Sequence, residues 1–200
     1  MDQKLLLKLF SILSVVILSL SSKAMASGHA MPLETVDHVE LSAYLGTWNE
    51  LYRIPNEFQD DKPEGLSTCF NTTAEYQVIS DRKISVLNSC QRVDKQGEII
   101  GESAPGTAWI ANTKTNAELR VTFIPIPIIK WLGTGDYNIV GLGPINSDGK
   151  YSWAMVGSKN RNYAWILART KTLSGPVLED IMDRFKSLNF EVDSFISTQK

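Results

Sequence analysis

Histidine is nearly absent from this 200-residue chain, and the two that occur, His29 and His38, both precede the segment expected to fold. A core without histidine has no Ser-His-Asp triad, no histidine-ligated haem and no histidine-bearing zinc site. No metal or cofactor is therefore expected. Clustered basic charge is missing as well. Twenty Lys and Arg stand against 22 Asp and Glu, spread without blocks. That distribution excludes a nucleic-acid partner, which needs concentrated cations, and offers no polybasic patch for an anionic membrane. Cysteine is scarce, with two in all, Cys69 and Cys90.

Long apolar runs are also missing, save one at the start. Lys4 and Lys8 precede or interrupt a short apolar core from Leu9 to Leu20, and Ala24-Met25-Ala26 places small residues where a signal peptidase cuts. The dozen-residue core falls short of the ~20 residues a membrane-spanning helix needs. Residues 1–26 read as a secretory signal peptide, leaving 27–200 as one domain. Losing Lys4, Lys8, Lys23 and Asp2 with the signal takes the net charge from −2 to about −4. No cysteine follows the signal as an acceptor for a lipoprotein's acyl chains. The expected product is secreted, or periplasmic in a Gram-negative bacterium, and not lipid-anchored. In an oxidising compartment, two cysteines suggest one disulfide, with a pair of buried thiols as the alternative.

Between Leu45 and Thr170 the pattern is of short strands and turns. Strands are expected at Thr47–Ile54, Ser67–Ile79, Ile84–Val93, a segment reaching Ala111, Glu118–Ile124, Asp136–Leu142, Tyr151–Val156 and Tyr163–Thr170. The Pro-rich segment Pro125–Leu132 interrupts them, because proline has no N–H for a ladder. Eight short strands with mostly short links predict an all-β fold: an antiparallel up-and-down β-barrel over about 46–170. The period then changes. Ser174 is a fit N-cap, Pro176 sits in the first turn, and Val177, Leu178, Ile181, Met182, Phe185 and Leu188 recur at helical spacing. A C-terminal helix over about 174–188, stopped at Asn189, should pack its one apolar face on the outside of the barrel.

Three motifs in order give this pattern a family. Gly46-Thr47-Trp48 on the first strand, Asp136-Tyr137 at the sixth and Arg169 at the end of the eighth resemble the three lipocalin motifs. Tyr44–Trp48, Arg53-Ile54-Pro55-Asn56 with Phe58, and Tyr163–Thr170 are similar to the bacterial outer-membrane lipocalin and apolipoprotein-D-like branch. The resemblance implies binding of fatty acids, lysophospholipids or similar amphiphiles. It departs at Asn49, where that branch has an aromatic, and in lacking the N-terminal cysteine of the anchored bacterial members. It also favours the Cys69–Cys90 bridge. A two-residue turn at Asp81-Arg82 would pair residues summing to 163, whereas 69 and 90 sum to 159, so the bridge requires a bulge or bend near Cys69.

Physically, Gly46, Trp48, Asp136, Tyr137 and Arg169 read as structural. Once the sheet closes, the first and eighth strands are neighbours and the Arg169 guanidinium can lie over the Trp48 indole. For the cavity, alternation puts Glu50 and Tyr52 on the same side as Trp48. Val86, Asn88, Trp109, Phe123, Tyr137, Val140, Trp153 and Trp165 are the other candidate ligand-binding residues. Glu50 is the sharpest of them, since a carboxylate facing an apolar interior needs a partner: a ligand head group, or an internal tyrosine such as Tyr137. The segment Ile126–Leu132, with Trp131, either offers an apolar rim for transient contact with a membrane or a partner, or folds back as a packed loop. Asn71-Thr72-Thr73 is a glycosylation acceptor if the source is eukaryotic. The expected function is carriage or storage of a small lipid-like ligand without chemistry. The alternatives are a lipocalin-fold enzyme working through Glu50 and tyrosines, or a module binding partners through its loops.

Overall fold

A computed structural model describes residues 31–60, 65–123 and 133–200, and of Phe58 the backbone only. The expected signal peptide and the Ile126–Leu132 segment lie outside the described residues. Chain order begins with a short helix α1 (Leu41–Tyr44), then β1 (Gly46–Arg53), α2 (Glu57–Asp60), β2 (Phe70–Ser80), β3 (Lys83–Val93), β4 (Ile99–Ile110) and β5 (Glu118–Thr122). There follow β6 (Thr134–Leu142), β7 (Trp153–Gly157), β8 (Ala164–Ala168), α3 (Gly175–Ser187), a 3-10 turn (Val192–Ser194) and β9 (Ile196–Ser197). Strands β1 to β8 pair in sequence order, all antiparallel, and β1 also pairs with β8. The sheet is thus closed, the up-and-down barrel expected, with β9 as an addition. Closure removes the free edges that an open sheet would expose.

Local chemistry accounts for the corners. Asp81-Arg82 turns β2 into β3, and Asn116 (φ 56°) and Gly149 (φ 71°) take left-handed backbone in the base turns. The N-terminal segment crosses that end. Val36 N–H donates to Ile139 O, Val39 N–H to Thr115 O, and Tyr151 N–H to Ala43 O. Gly46 (φ 100°) then swings the chain into β1, at a place where a Cβ would stand 3.6 Å from the Arg169 guanidinium.

Arg169 is the fastening of this closed end. Its guanidinium carbon lies 3.6 Å from the centroid of the fully buried Trp48 ring. Its nitrogens donate to the carbonyls of Ala43, Tyr44, Leu45, Thr47 and Tyr151, tying α1, β1 and the β6–β7 connection to the end of β8. The Trp48 indole N–H donates to Tyr44 O at 2.9 Å. The Asp136 motif position has a smaller part: paired with Arg120 across β5 and β6, it makes a partly exposed ion pair with it, of a kind worth about 0–1 kcal/mol.

Outside the barrel, α3 begins after Ser174 with Pro176 in its first turn, and Asn189 (φ 64°) follows its end, as the spacing predicts. The Ser174 hydroxyl makes no cap hydrogen bond. Ile181, Phe185 and Leu188 bury against Val140, Met155, Ala164 and Ile166, forming a second core between helix and sheet. The tail beyond the helix was not expected from the pattern. Its strand β9 pairs with Tyr52 and Arg53, Thr198 N–H donates to Leu51 O, and Asn71 N–H donates to Thr198 O. The tail thereby bridges the ends of β1 and β2, which pair directly only from Gly46 to Asn49.

The disulfide and its register problem resolve together. Cys69 and Cys90 are bonded, with Cα atoms 5.5 Å apart. Strand β2 starts at Phe70, not Ser67, and its register against β3 shifts twice, between Val78 and Ser80 and between Phe70 and Thr73. Asn71 (φ 48°) supplies the bend. Its side-chain amide donates to Gln91, and its side-chain oxygen accepts from the Lys200 N–H.

Arg169→Ala should cost about 3 kcal/mol, from the lost cation–π contact and the lost hydrogen bonds to the base carbonyls, and lower Tm by roughly 6–12 °C. Ligand affinity should change far less, and calorimetry beside a binding titration would separate the two. Reducing the Cys69–Cys90 bridge should cost about 3 kcal/mol in the chain-entropy view, read as a shift in the urea midpoint.

Candidate functional site: the barrel cavity

The barrel interior grades from a packed floor to an open hollow. At the floor, Trp48, Ile84, Ala108, Ile110, Leu119, Ile139, Ala154 and Val156 form one buried cluster. Three tyrosines cap it. The Tyr137 hydroxyl lies 2.7 Å from that of Tyr44 and 3.0 Å from that of Tyr76. Burial pushes Tyr76 up to about 12, and burial, the largest cause in each, also holds Tyr44 and Tyr137 well above the ordinary tyrosine value, so all three stay neutral at ordinary pH.

Above this floor is a cavity of about 880 Å³, within the size range of small-molecule sites. Its lining includes Glu50, Gln59, Thr72, Ala74, Tyr76, Val86, Asn88, Glu102, Ala104, Val121, Phe123, Tyr137, Trp165 and Leu167. Of the residues expected to face a ligand, Glu50, Val86, Asn88, Phe123, Tyr137 and Trp165 therefore stand on the cavity wall. Alternation from Trp48 through its β2 partner Ala74 would also have found Thr72 and Tyr76. Gln59, on α2 over the cavity, has no such signal.

Four expected lining residues are corrected. Tyr52 faces outward, packed with the helix cluster. The register of β1 against β8 shifts between Glu50 and Tyr52, so one extra residue at Leu51 reverses the faces beyond it. Trp109 lies between Ala108 and Ile110, both in the interior cluster, and so points to the opposite face. Val140 and Trp153 belong to the core under α3, not to the cavity. Val140 is three residues from Tyr137, an odd step that puts it on the other side of the strand.

The same reversal carries Arg53 inward. It is 1% exposed and Glu50 is 4% exposed. Arg53 Nη1 donates to Glu50 Oε1 at 2.7 Å, while Nε and Nη2 donate to the two Asp60 oxygens at 3.0 and 2.6 Å. Gln59 Nε2 donates to the other Glu50 oxygen at 2.7 Å, and the Trp165 indole N–H donates to Gln59 Oε1 at 3.1 Å. The partners of Glu50 are thus Arg53 and Gln59; Tyr137 bonds to other tyrosines instead. Burial pushes the Glu50 carboxyl up despite the facing guanidinium. Burial is the largest single influence on Asp60 and Arg53 and works against both charges, but their mutual hydrogen bonds together with the Asn56 N–H, Glu50 and the facing charges outweigh it, lowering Asp60 and raising Arg53. Nearer the rim, Arg92 Nε donates to Glu102 at 2.6 Å and its Nη1 to Ser67 O. A set of Cys69, Cys90 and Glu102 atoms lies close enough to hold a metal, but the two sulfurs are bonded to each other.

A closed antiparallel barrel with a floor, an open hollow and a helix outside defines a ligand-holding barrel protein. The lipocalin-like domain matches residues 39–200, and the chain belongs to the lipocalin family, in general a family of binding proteins for small hydrophobic molecules. It is 33% identical to the outer membrane lipoprotein Blc of Vibrio cholerae over 84% of this chain and 86% of that one. It is 30% identical to Blc of Escherichia coli K12, over 82% and 81%. Temperature-induced lipocalin-1 of Arabidopsis thaliana is 27% identical over 83% and 82%. Among solved structures, lobster apocrustacyanin A1 superposes with a TM-score of 0.54 at 14% identity, covering 80% of this chain and 79% of that one, a likeness of fold.

Because Glu50 holds its proton more tightly folded than unfolded, wild-type stability should fall as pH rises from the ordinary glutamate value through the raised one. Glu50→Gln removes that slope. The stability difference, variant minus wild type, should move in the variant's favour across the window and level off above it, as urea unfolding between about pH 4 and pH 8 would record. Asp60, whose value is lowered, keeps its opposite contribution at lower pH in both proteins.

Proposed function

We propose that this protein carries or stores a small single-chain amphiphile, such as a fatty acid, a lysophospholipid or a similar lipid, inside the barrel and performs no chemistry on it. The observation that carries the reading is the cavity of about 880 Å³, with Val86, Val121, Phe123, Trp165 and Leu167 on its wall beside a polar stretch at Glu50, Gln59, Thr72 and Asn88. Such a surface suits a molecule whose tail enters first and whose head stays among polar groups. Both Glu50 oxygens already accept hydrogen bonds from protein groups, an arrangement that favours a structural charge over a catalytic base.

Export to a secreted or periplasmic location is supported by the Cys69–Cys90 disulfide, which belongs to an oxidising compartment. The bacterial relatives are outer membrane lipoproteins by name, whereas both cysteines of this chain are bonded to each other. Neither cysteine is then free to carry an acyl chain, and we read membrane contact as transient, through the apolar sequence Ile126–Leu132.

Native mass spectrometry of protein purified from its own compartment should find a co-purified lipid, and an empty barrel that refuses every amphiphile would overturn the reading. Ala104 faces the hollow, so Ala104→Trp should lower amphiphile affinity about tenfold or more by occupying tail volume. The circular dichroism spectrum should stay that of the wild type.

A further inference from the structure

The polar wall of the cavity constrains the chemistry of the ligand's head. Its inward positions lie side by side on three strands: Trp48 pairs with Ala74 and Ala74 with Asn88, with Glu50 two residues beyond Trp48 and Thr72 two before Ala74. Three buried side-chain polar atoms among the described residues have no hydrogen-bond partner: Thr72 Oγ1, Asn88 Oδ1 and Ser152 Oγ. Ser152 belongs to the β6–β7 connection, outside the cavity lining. The other two both belong to cavity-lining residues on adjacent strands. Thr72 is only 4% exposed, so solvent does not satisfy it cheaply. An orphaned amide oxygen needs a donor, and a threonine hydroxyl can both give and accept.

The charges of the same wall argue against an anion. Arg92 lines the cavity and is already held by Glu102, whereas Arg120 and Asp136, cross-strand from the outward Trp109, pair with each other on the outer face of the sheet. Arg53, behind the wall, is held by Glu50 and Asp60. Two inward carboxylates, Glu50 and Glu102, thus line the cavity against one arginine, Arg92. A carboxylate or phosphate head would meet this negative excess in a low-dielectric hollow, facing guanidinium groups already spent on other partners.

We propose that the bound amphiphile carries an uncharged, hydrogen-bond-donating head, of the hydroxylated kind found on a monoacylglycerol, seated against Thr72 and Asn88. Anionic heads of the same chain length are disfavoured. This rests on the carrier reading above and narrows its ligand class.

Calorimetric titration at neutral pH would compare three ligands of equal acyl length: a 1-monoacylglycerol, the free fatty acid and the lysophosphatidic acid. The monoacylglycerol should bind about tenfold more tightly than either anion. Thr72→Val and Asn88→Leu should each weaken monoacylglycerol binding about tenfold and weaken the fatty-acid methyl ester, which has no donor, clearly less. Equal or tighter binding of an anion overturns the proposal and leaves the carrier reading standing. So does parallel loss of methyl ester and monoacylglycerol in both variants, which would mark a damaged hollow. If no amphiphile of any head group binds, the carrier reading falls and this one with it.

Discussion

The structure depends on one strand being held from both sides. β1 pairs with β2 at its start and with β8 along its later half, and that double pairing turns a meander into a closed wall. The Trp48–Arg169 contact lies where the two ends of the sheet meet, and the Arg169 hydrogen bonds extend it to the segment crossing the base. A guanidinium over an indole contributes only about 0.5–2 kcal/mol. Its importance is one of position, because the same group donates to Leu45 O and joins the Tyr151 N–H at Ala43 O and the Trp48 indole at Tyr44 O, knitting α1 and the turn into β1 to the end of β8.

The bulge at Leu51 then decides what the cavity contains. Without it, Arg53 would point outward and Tyr52 inward, giving an interior carboxylate with no cation beside it. With it, Glu50 and Arg53 both face in, three residues apart on a strand where plain alternation would separate them. A buried ion pair of this kind gives little net stability, yet breaking it by removing one partner costs about 3–5 kcal/mol. Asp60 and Gln59 complete the coordination from α2, and the residues just after β9, Thr198 and Gln199, both donate to Glu50 O beside the bulge. A polar wall inside a greasy barrel is therefore stable only as a set.

Strand number, order and closure were legible from turn chemistry and period, and the outer helix from its apolar stripe. The faces were less so. Period two places residues correctly only while the strand is regular. Tyr52 fails because Leu51 adds a residue, and Trp109 and Trp153 fail because large aromatics sit on the outer surface here, with Trp153 roofed by the helix. The disulfide offset was a useful contradiction, since a mismatch in the hairpin sum called for the bend now seen at Asn71 and the shifts along β2. The tail strand and α2 were invisible to pattern reasoning. Each is four residues or fewer, and each is held by hydrogen bonds to groups distant in sequence rather than by its own periodicity.

The central claim is that a lipid chain lies inside the barrel, between the tyrosine floor and the polar wall. Solution NMR with a protonated single-chain amphiphile on deuterated, indole-protonated protein would test it directly. Nuclear Overhauser contacts from chain methylenes to the Trp165 indole are the result this account predicts. Contacts instead to Trp109 or Trp153, both on the outer surface of the sheet, would contradict it.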